Sequence, residues 1–332
     1  MNLAESESKL SRAPVFLMGA TASGKTDLSL FMAKTLNAEI ISVDSALVYR
    51  GLDIGTAKPS MEERDGIPHH LIDICDPWEA YSAARFCNEA SQLISEIQSR
   101  GKRALLVGGT MLYFKSLEEG LAILPDADAA LRQEMMDDAA TRGWMALHQE
   151  LANVDPLAAE RIHPNDPQRI QRALEVYRLT GVPLTTLQKN TQSLLPEAPV
   201  KFALAPDDRA WLHERIQRRF ALMLEAGFLD EVRALREDAR IHAELPAIRS
   251  VGYRQAWEYL DTSKTNESEK ASSDTTWVDK ATAATRQLAK RQLTWLRGMD
   301  NVHYLACDAL SLDEQKSTLC NILNTQETGF ND

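Results

Sequence analysis

The stretch MGATASGKTDLSL, residues 18–30, decides the fold of this chain. Within it, Gly19 and Gly24 are separated by four residues and are followed by Lys25 and Thr26, which is the spacing of a phosphate-binding P-loop. The apolar run before the loop predicts a short buried strand, and the residues after Lys25 predict a helix. This strand–loop–helix context is the one in which such a loop binds phosphate.

Each residue type in this loop has a physical use. The glycines allow a tight turn, and the backbone N–H groups at the start of the helix carry partial positive charge. Lys25 adds a full charge, and Thr26 offers a hydroxyl oxygen to Mg²⁺. The candidate phosphate-binding residues are Gly19, Ala20, Thr21, Ala22, Ser23, Gly24, Lys25 and Thr26. An ordinary glycine-rich turn is the alternative, and the motif does not specify which phosphate compound binds.

The first third of the chain alternates strand and helix patterns. Apolar runs at Ile40–Val43 and in KRALLVGGT, from Lys102, predict buried strands, with a helix over 78–100 between them. Such alternation indicates a parallel sheet with helical crossovers. From about residue 120 strand signals nearly vanish, and helices are predicted over 126–152, 168–180, 208–240 and 278–297.

Composition excludes several classes of protein. The 332 residues are 44% hydrophobic and 26% charged, typical of a globular chain, and no apolar run is long enough to span a membrane. The four cysteines are neither closely paired nor accompanied by histidines, which argues against disulfides or zinc and fits a reducing cytoplasm. The net charge of −11 argues against nucleic acid, but residues 280–297 contain five basic residues and no acid.

Two polar positions follow predicted strands and are expected at the same crevice. Asp44 comes directly after Val43, and Thr110 follows Gly108 and Gly109. In open α/β sheets ligands bind beyond the carboxyl ends of the strands. Asp44 therefore suits a general base or a Mg²⁺ ligand, although a helix N-cap is an equally good interpretation. For Thr110 the alternative is a plain strand-to-helix turn.

Four stretches cluster basic residues. They are residues 163–172, LHERIQRRF with Arg215, Arg218 and Arg219, residues 248–254, and residues 286–297. Helical spacing in the last stretch puts Arg286, Lys290 and Arg297 on one side, with Leu288 and Trp295 opposite and facing a core. A solvated face is the ordinary interpretation of such runs. Beside a phosphate loop, they favour a nucleic-acid or polyphosphate partner.

Six blocks together resemble the bacterial tRNA dimethylallyltransferases, also called tRNA isopentenyltransferases or the IPP transferase family. The blocks are GATASGKT, VDSALVYRGLDIGTAKP, LLVGGTMLYFKSLEEGL, HPNDPQRIQRALEVY, IRSVGYRQAW and TRQLAKRQLTWLRG, and they extend from about residue 15 to 305. Their order and spacing match the family. Ala20 stands where the family commonly has proline, and the polar stretch 261–276, predicted to be a flexible loop, is longer than usual.

The resemblance implies an α/β fold with a P-loop NTPase-like parallel sheet flanked by helices and an inserted all-helical domain. It implies a P-loop catalytic core over 13–126 and 201–310 and a helical insertion over 127–200 that grips the tRNA anticodon stem. Residues 1–12 are expected to form a disordered lead-in, without the features of a secretory signal. Residues 311–332 are expected to form a C-terminal tail.

The resemblance also implies an activity. The family transfers a dimethylallyl group from dimethylallyl diphosphate to N6 of the adenosine 3′ of the anticodon and releases pyrophosphate, so the loop at 19–26 would hold a diphosphate. Asp44 would act as the base, with Lys25, Thr26 and Arg219 as the other catalytic residues and Thr26 as the Mg²⁺ ligand. The cofactor would be Mg²⁺, and the partners tRNA and dimethylallyl diphosphate, for a cytoplasmic monomer without membrane association.

Matching family positions predict the tRNA contacts. They are Asp44, Ser45, Ala46, Leu47, Thr110, Arg132, Gln168, Arg169, Ile170, Gln171, Arg172, Arg249, Ser250, Val251, Gly252, Tyr253, Arg254, Lys290, Arg291, Gln292, Leu293, Thr294, Trp295, Leu296 and Arg297. Two other classes remain as alternatives. One is a P-loop small-molecule kinase that uses ATP with Asp44 as base, for which no nucleobase site is evident. The other is a nucleotide-gated RNA-binding module, which would have no use for Asp44 at the sheet edge.

Overall fold

A computed structural model describes residues 13–122, 124–189, 191–265 and 275–328. Its centre is a six-stranded sheet in the order β3-β2-β4-β1-β5-β6, and every strand pair is parallel. The strands are β1 (Val15–Gly19), β2 (Ala38–Val43), β3 (His69–His70), β4 (Arg103–Gly108), β5 (Val200–Leu204) and β6 (Val302–Leu305). The predicted parallel sheet is therefore present.

The register of the central strands brings three loop starts to one edge. Met18 of β1 and Val43 of β2 both pair with Gly108 of β4. The residues that follow these strands are the P-loop, Asp44 and Gly109, so they emerge at the carboxyl edge of the sheet, where open α/β sheets bind ligands. Gly108 permits this alignment because a Cβ there would lie 2.0 Å from the carbonyl oxygen of Val43.

Thirteen helices surround the strands or follow them in the described residues. They are α1 (Lys25–Thr35), α2 (Ala83–Ser99), α3 (Met111–Glu119), α4 (Ala129–Arg142), α5 (Trp144–Val154), α6 (Pro156–Arg161), α7 (Pro167–Thr180), α8 (Leu184–Leu187), α9 (Arg209–Glu225), α10 (Phe228–Leu235), α11 (Tyr253–Thr265), α12 (Thr276–Leu296) and α13 (Leu312–Thr328). Two predicted helices are each split by a glycine. Gly143 (φ 80°) separates α4 from α5, and Gly227 (φ 93°) separates α9 from α10, a backbone conformation that glycine adopts without steric cost.

The main core lies between the sheet and its helices. All of β1 is buried, and Leu28 and Met32 of α1 pack in the same cluster as Leu319 and Leu323 of α13. A parallel sheet covered on both faces has such continuous apolar strands. Residues 311–332, predicted to be a tail, thus contain a helix that contributes to this core, and its weak periodicity concealed that role.

The chain divides into two compact units. One comprises residues up to Glu118 and from Leu195, and the other is Glu119–Leu194, which is helical. The sequence placed the insertion at 127–200, but Val200 already belongs to β5, which pairs with β1. The lead-in 1–12 lies outside the described residues, as does most of the predicted loop 261–276. The first residues of that predicted loop, up to Thr265, belong to α11.

Two predictions from composition can be compared with this structure. Among the described residues, no helix combines the length and apolarity that crossing a membrane requires. All four cysteines are free thiols in this structure. Cys75, Cys87 and Cys307 are buried, where they act as small apolar side chains.

Candidate active site

The P-loop turns around two left-handed residues, Ala22 (φ 63°) and Gly24 (φ 96°). Lys25 folds back across the turn, and its Nζ donates to the carbonyl oxygens of Gly19 at 3.0 Å and Ala20 at 2.7 Å. Gly19 leaves no room for a side chain, because a Cβ would lie 2.7 Å from Ser23 Oγ. The loop thus holds the Lys25 ammonium group at the end of β1.

Helices α9 and α12 hold this loop from outside. Arg215 Nε of α9 donates to the carbonyl oxygen of Ala22 at 2.7 Å. Gln292 of α12 accepts from Thr21 N–H at 2.9 Å, and its Nε2 donates to the carbonyl oxygen of Gly109 at 2.9 Å. Arg215 was only part of a basic stretch in the sequence, and no local signal assigned it to the loop.

Asp44 lies at the end of β2, as predicted, and its two carboxylate oxygens differ. Oδ1 accepts from the N–H groups of Ala46 at 2.8 Å and Leu47 at 3.4 Å. No helix begins at this point, so the N-cap interpretation is wrong, although the carboxylate does cap a turn. Oδ2 has no hydrogen-bond partner among the described residues. One oxygen therefore fixes the carboxylate, while the other remains available to a ligand.

Thr110 joins the ends of β2 and β4. Its hydroxyl accepts from Ser45 N–H at 3.1 Å, and its own N–H donates to the carbonyl oxygen of Val43 at 3.2 Å. These bonds hold the segment after Asp44 against the start of α3. Thr110 thus lies at the predicted crevice and has a structural function there.

Three charged groups act on one another at this edge. Burial, followed by the positive charge of Arg219, lowers the pKa of Lys25 to about 8, and the negative charge of Asp44 opposes the shift. Burial also lowers the pKa of Arg219, again opposed by Asp44. Among the described residues neither cation forms an ion pair. The edge therefore carries more positive than negative charge, which favours an anionic ligand.

Arg219 is positioned by the segment that follows Asp44. Its Nη2 donates to the carbonyl oxygen of Thr56 at 3.0 Å. Because Arg215 and Arg219 are one helical turn apart on α9, the same helix face contacts both the P-loop and this segment. Lys25, Arg219 and Asp44, which the resemblance assigns to catalysis, thus lie close enough for their charges to act on one another.

Glu231 of α10 is a residue that the sequence did not single out. Its carboxylate accepts from the N–H groups of Asp53 at 3.0 Å, Ile54 at 2.7 Å and Gly55 at 3.2 Å, and from the Tyr253 hydroxyl. Gly55 fits against this cluster only without a side chain, because a Cβ would lie 2.6 Å from the Tyr253 ring. Glu231 therefore fixes the turn whose next residue, Thr56, accepts from Arg219.

The predicted tRNA residues of α12 divide into two faces. Lys290, Arg291, Thr294, Trp295 and Arg297 are exposed, whereas Leu293 and Leu296 are buried. Trp295 was expected in a core, but it is 39% exposed and lies beside Lys115, whose Nζ is 5.9 Å from the ring centre. Arg286 is only partly exposed, and its Nε is buried without a hydrogen-bond partner.

Several other predicted tRNA contacts are internal. Ile170 of α7 and Tyr253 of α11 are buried, and so is Gly252 in the turn before α11, so these three residues face the interior. Ile170 and Tyr253 face inward because a continuous segment on a helix includes residues of both faces. The exposed members nearby are Gln168, Arg169, Arg249 and Arg254.

Arg132 and Arg172 are partly exposed and share a buried carboxylate in the helical unit. Arg132 Nε lies 2.8 Å from Glu175 Oε1, and Arg172 Nη1 lies 2.7 Å from Glu175 Oε2. Glu175 is fully buried. Burial alone would raise its pKa, but hydrogen bonds from the two guanidinium groups and from Asp128 N–H outweigh it and hold the pKa below its ordinary value. Two of the basic residues predicted to contact tRNA therefore share one buried carboxylate inside the unit.

The sheet edge also has donors suited to Mg²⁺. Thr26 is exposed in the first turn of α1, and Asp44 has a free carboxylate oxygen. No group of three or more histidine, cysteine, aspartate or glutamate side chains suited to a metal occurs in the described residues. Mg²⁺ commonly keeps several waters and binds one or two protein oxygens together with substrate phosphates. A hydroxyl and a carboxylate beside a phosphate loop fit that requirement.

Comparison with known proteins assigns this chain to a family. The profile of the IPP transferase family, described as "IPPT: IPP transferase", matches residues 47–299. The chain belongs to the IPP transferase family. Among curated relatives of that family, the tRNA dimethylallyltransferase of Stenotrophomonas maltophilia (strain R551-3) is 57% identical over 290 residues, which is 86% of this chain and 89% of the relative. The tRNA dimethylallyltransferase of Methylibium petroleiphilum is 55% identical over 296 residues, covering 88% and 89%.

Solved structures of IPP transferases have the same fold. The full-length tRNA isopentenylpyrophosphate transferase of Bacillus halodurans is 38% identical, has a TM-score of 0.68, and covers 95% of this chain and 97% of its own. A eukaryotic dimethylallyltransferase solved as it acts on tRNA is 27% identical with a TM-score of 0.74, covering 94% and 78%. The predicted fold class and the resemblance to this family are both confirmed.

Proposed function

We propose that this member of the IPP transferase family transfers a dimethylallyl group from dimethylallyl diphosphate to N6 of the adenosine 3′ of the anticodon in tRNA, releasing pyrophosphate. One observation carries the proposal. Among the described residues, Lys25, Arg215 and Arg219 donate hydrogen bonds at the P-loop edge only to backbone carbonyls, and one oxygen of the nearby Asp44 carboxylate has no partner. The names of the relatives supply tRNA as the acceptor and dimethylallyl as the transferred group.

The reaction is a substitution at the allylic carbon. The N6 nitrogen forms a bond to that carbon while the carbon–oxygen bond to the diphosphate breaks, and the electron pair leaves with pyrophosphate. Asp44 Oδ2 accepts the N6 proton, which makes the poorly nucleophilic amine more reactive. General-base assistance of this kind contributes roughly 10²- to 10⁴-fold in rate.

Charge on the leaving group is offset at the P-loop. Lys25, the loop N–H groups and Arg219 surround the position where negative charge increases, and such preorganised groups stabilise a transition state strongly in a site with little water. Mg²⁺ held by Thr26 and the diphosphate would supply further charge neutralisation. The proposed functions of the residues at 19–26 follow from this placement.

The RNA side of the proposal rests on exposed basic surface. Lys290, Arg291 and Arg297 are exposed on or beside α12, the helix whose opposite face reaches the P-loop through Gln292. The target base has to leave its stack to react, which costs little for an unpaired loop nucleotide. A grip on the anticodon stem by residues 127–200, a monomeric state and a cytoplasmic location belong to the same proposal.

One assay tests the reaction. The protein is incubated with Mg²⁺, dimethylallyl diphosphate and unmodified tRNA, and the digested nucleosides are analysed by mass spectrometry. We expect one adenosine per substrate tRNA to gain the mass of a dimethylallyl group in place of hydrogen. A tRNA with guanosine at that position is the matched negative control.

The same preparation tests the kinase alternative. ATP is offered in place of dimethylallyl diphosphate with a panel of small hydroxyl-bearing acceptors. Phosphoryl transfer without prenyl transfer would overturn the proposal. Prenyl transfer without phosphoryl transfer would support it and exclude the kinase and the RNA-binding module without chemistry.

A further inference from the structure

Gln292 uses both ends of its side-chain amide inside the protein. Its Oε1 accepts from Thr21 N–H, and its Nε2 donates to the Gly109 carbonyl, each at 2.9 Å. Gly109 is fitted to this contact, because a Cβ there would lie 2.4 Å from Gln292 Nε2. The predicted tRNA contact through this amide is therefore unsupported, and the side chain instead joins α12 to the ends of β1 and β4.

The P-loop residue next to this contact has a conformation that costs free energy. Ala22 has φ 63°, a left-handed backbone that residues with a Cβ rarely adopt. It is held on both sides, by the Gln292 bond to Thr21 N–H and by the Arg215 bond to its own carbonyl oxygen. The shape of the loop that would bind the diphosphate thus depends on two side chains from outside it.

The turn of α12 that contains Gln292 also carries the exposed surface proposed to bind tRNA. Arg291 and Trp295 are exposed, whereas Gln292 and Leu293 point inward. Successive residues on a helix differ by about 100° in direction, so one turn presents both an outer and an inner face. A ligand that binds the outer face and biases the position of α12 would act on Thr21 through Gln292.

We propose that Gln292 is a positioning residue that couples the two substrate sites, so that tRNA on α12 and diphosphate in the P-loop strengthen each other's binding. The inference rests on the proposed function for the identity of the two ligands. Coupling of this kind is reciprocal by linkage, since each ligand must change the affinity of the other by the same factor.

The test uses two ligands that do not react with each other, inorganic pyrophosphate with Mg²⁺ and unmodified tRNA. Calorimetry measures the dissociation constant of each ligand alone and in the presence of the other, which gives the coupling factor. Gln292→Met keeps the length of the side chain and removes both hydrogen bonds. Gln287→Met makes the same change at an exposed position of α12 and is the matched control.

For the unmodified protein we expect a coupling factor of five or more, about the lower end of allosteric couplings. In Gln292→Met the coupling factor should fall to within twofold of one. Pyrophosphate alone should bind this variant about tenfold more weakly, which is the order expected from the loss of one to two net hydrogen bonds. Gln287→Met should retain the original factor. If Gln292→Met does not fold, Gln292→Glu is the second variant. The glutamate lacks the N–H donor to the Gly109 carbonyl, so the coupling factor of this variant should fall as well.

Two results would overturn the coupling. One is a factor near one in the unmodified protein, and the other is an unchanged factor in a folded Gln292 variant. Either result leaves the proposed function standing if prenyl transfer is observed. If neither pyrophosphate nor dimethylallyl diphosphate binds the unmodified protein, the proposed function fails instead, so the two failures are distinguishable.

Discussion

Positively charged side chains are held in two different ways in the two units of this protein. At the P-loop edge, Lys25, Arg215 and Arg219 donate to backbone carbonyl oxygens. In the helical unit, Arg132 and Arg172 donate to the carboxylate of the fully buried Glu175. Both arrangements fix the side chains, but only in the second do the arginines donate to a carboxylate, whose negative charge offsets part of theirs.

This difference separates a substrate site from a structural cluster. A carbonyl oxygen holds a cation in place with a partial charge, so most of the positive field remains for an anionic ligand. A buried carboxylate offsets one unit of that charge, and removing it is costly because it leaves the arginines without their buried partner. The comparison predicts that variants at the sheet edge mainly change chemistry and binding, whereas variants of the Glu175 cluster mainly change stability.

The largest effect is expected for Asp44→Asn. Turnover should fall roughly 10²- to 10⁴-fold because the proton acceptor is lost, which corresponds to about 3 to 5 kcal/mol. The asparagine Oδ1 can still accept from Ala46 N–H, so the melting temperature should change little. Single-turnover kinetics and thermal unfolding of the same variant test this.

Asp65→Asn, at an exposed ion pair with Lys34, is the control for Asp44→Asn. Turnover above about a third of the parental rate would contradict the assignment of a general base.

The second prediction concerns Glu175→Gln in the helical unit. The free energy of unfolding should fall by about 3 kcal/mol, because two arginines lose a buried anionic partner. Since the pKa of Glu175 is lowered in the folded state, its stabilisation is fully present above the ordinary value of 4.5 and is lost as the pH falls further. Urea unfolding at several pH values measures both effects. Glu134→Gln, on an exposed side chain, is the control.

Measuring the pyrophosphate affinity of Glu175→Gln shows whether this variant affects stability alone. Glu175→Gln should leave the affinity for pyrophosphate and Mg²⁺ unchanged at temperatures where the variant is folded. A loss of pyrophosphate affinity as large as the loss of stability would break the distinction between the two clusters.

The third prediction is a pH dependence at the P-loop. Because the pKa of Lys25 is lowered to about 8, its charge is present below that pH and is lost above it in the free protein. The association constant for dimethylallyl diphosphate should therefore fall above about pH 8, by up to tenfold per pH unit. Lys25→Arg should remove this dependence because arginine stays charged. Titration calorimetry from about pH 7 to 10 measures it.

Arg219→Gln provides an independent check that the titration of Lys25 causes this pH dependence. The charge of Arg219 contributes to lowering the pKa of Lys25, so its removal should shift the decline in affinity to higher pH. A decline that stays at the same pH in both Lys25→Arg and Arg219→Gln would show that another group titrates.

The smallest effect is expected for the salt dependence of tRNA binding. Lys290→Ala and Arg297→Ala should each reduce the slope of log K against log salt by about 0.7 to 0.9, if each side chain contacts one phosphate. Arg132→Ala should reduce it less, because that guanidinium is hydrogen-bonded to the buried Glu175 carboxylate, whose negative charge offsets part of its own. Binding measured between about 50 and 200 mM salt distinguishes them. A larger change for Arg132 than for Lys290 would contradict the comparison.

Much of this architecture could be predicted because its signals are local. The P-loop spacing, the apolar runs before Gly19 and after Ala38, and the glycines after β4 lie within short windows, and they correctly predicted the parallel sheet and the position of Asp44 at its edge. Strands β5 and β6 were missed. They contain only five and four residues and lie among long helical patterns, so their periodicity was too short to detect.

By itself, the sequence determined the phosphate loop, the parallel sheet and the family, because each depends on contiguous residues whose spacing encodes the structure. The tertiary structure decided which residues surround the loop. Thr21 and Gln292 are 271 positions apart, and Asp53 and Glu231 are 178 apart. It also decided that Arg132 pairs with Glu175 while Arg219 keeps its charge for a ligand. No local pattern reports such contacts, because whether a polar side chain meets a carbonyl, a carboxylate or solvent depends on how distant helices pack.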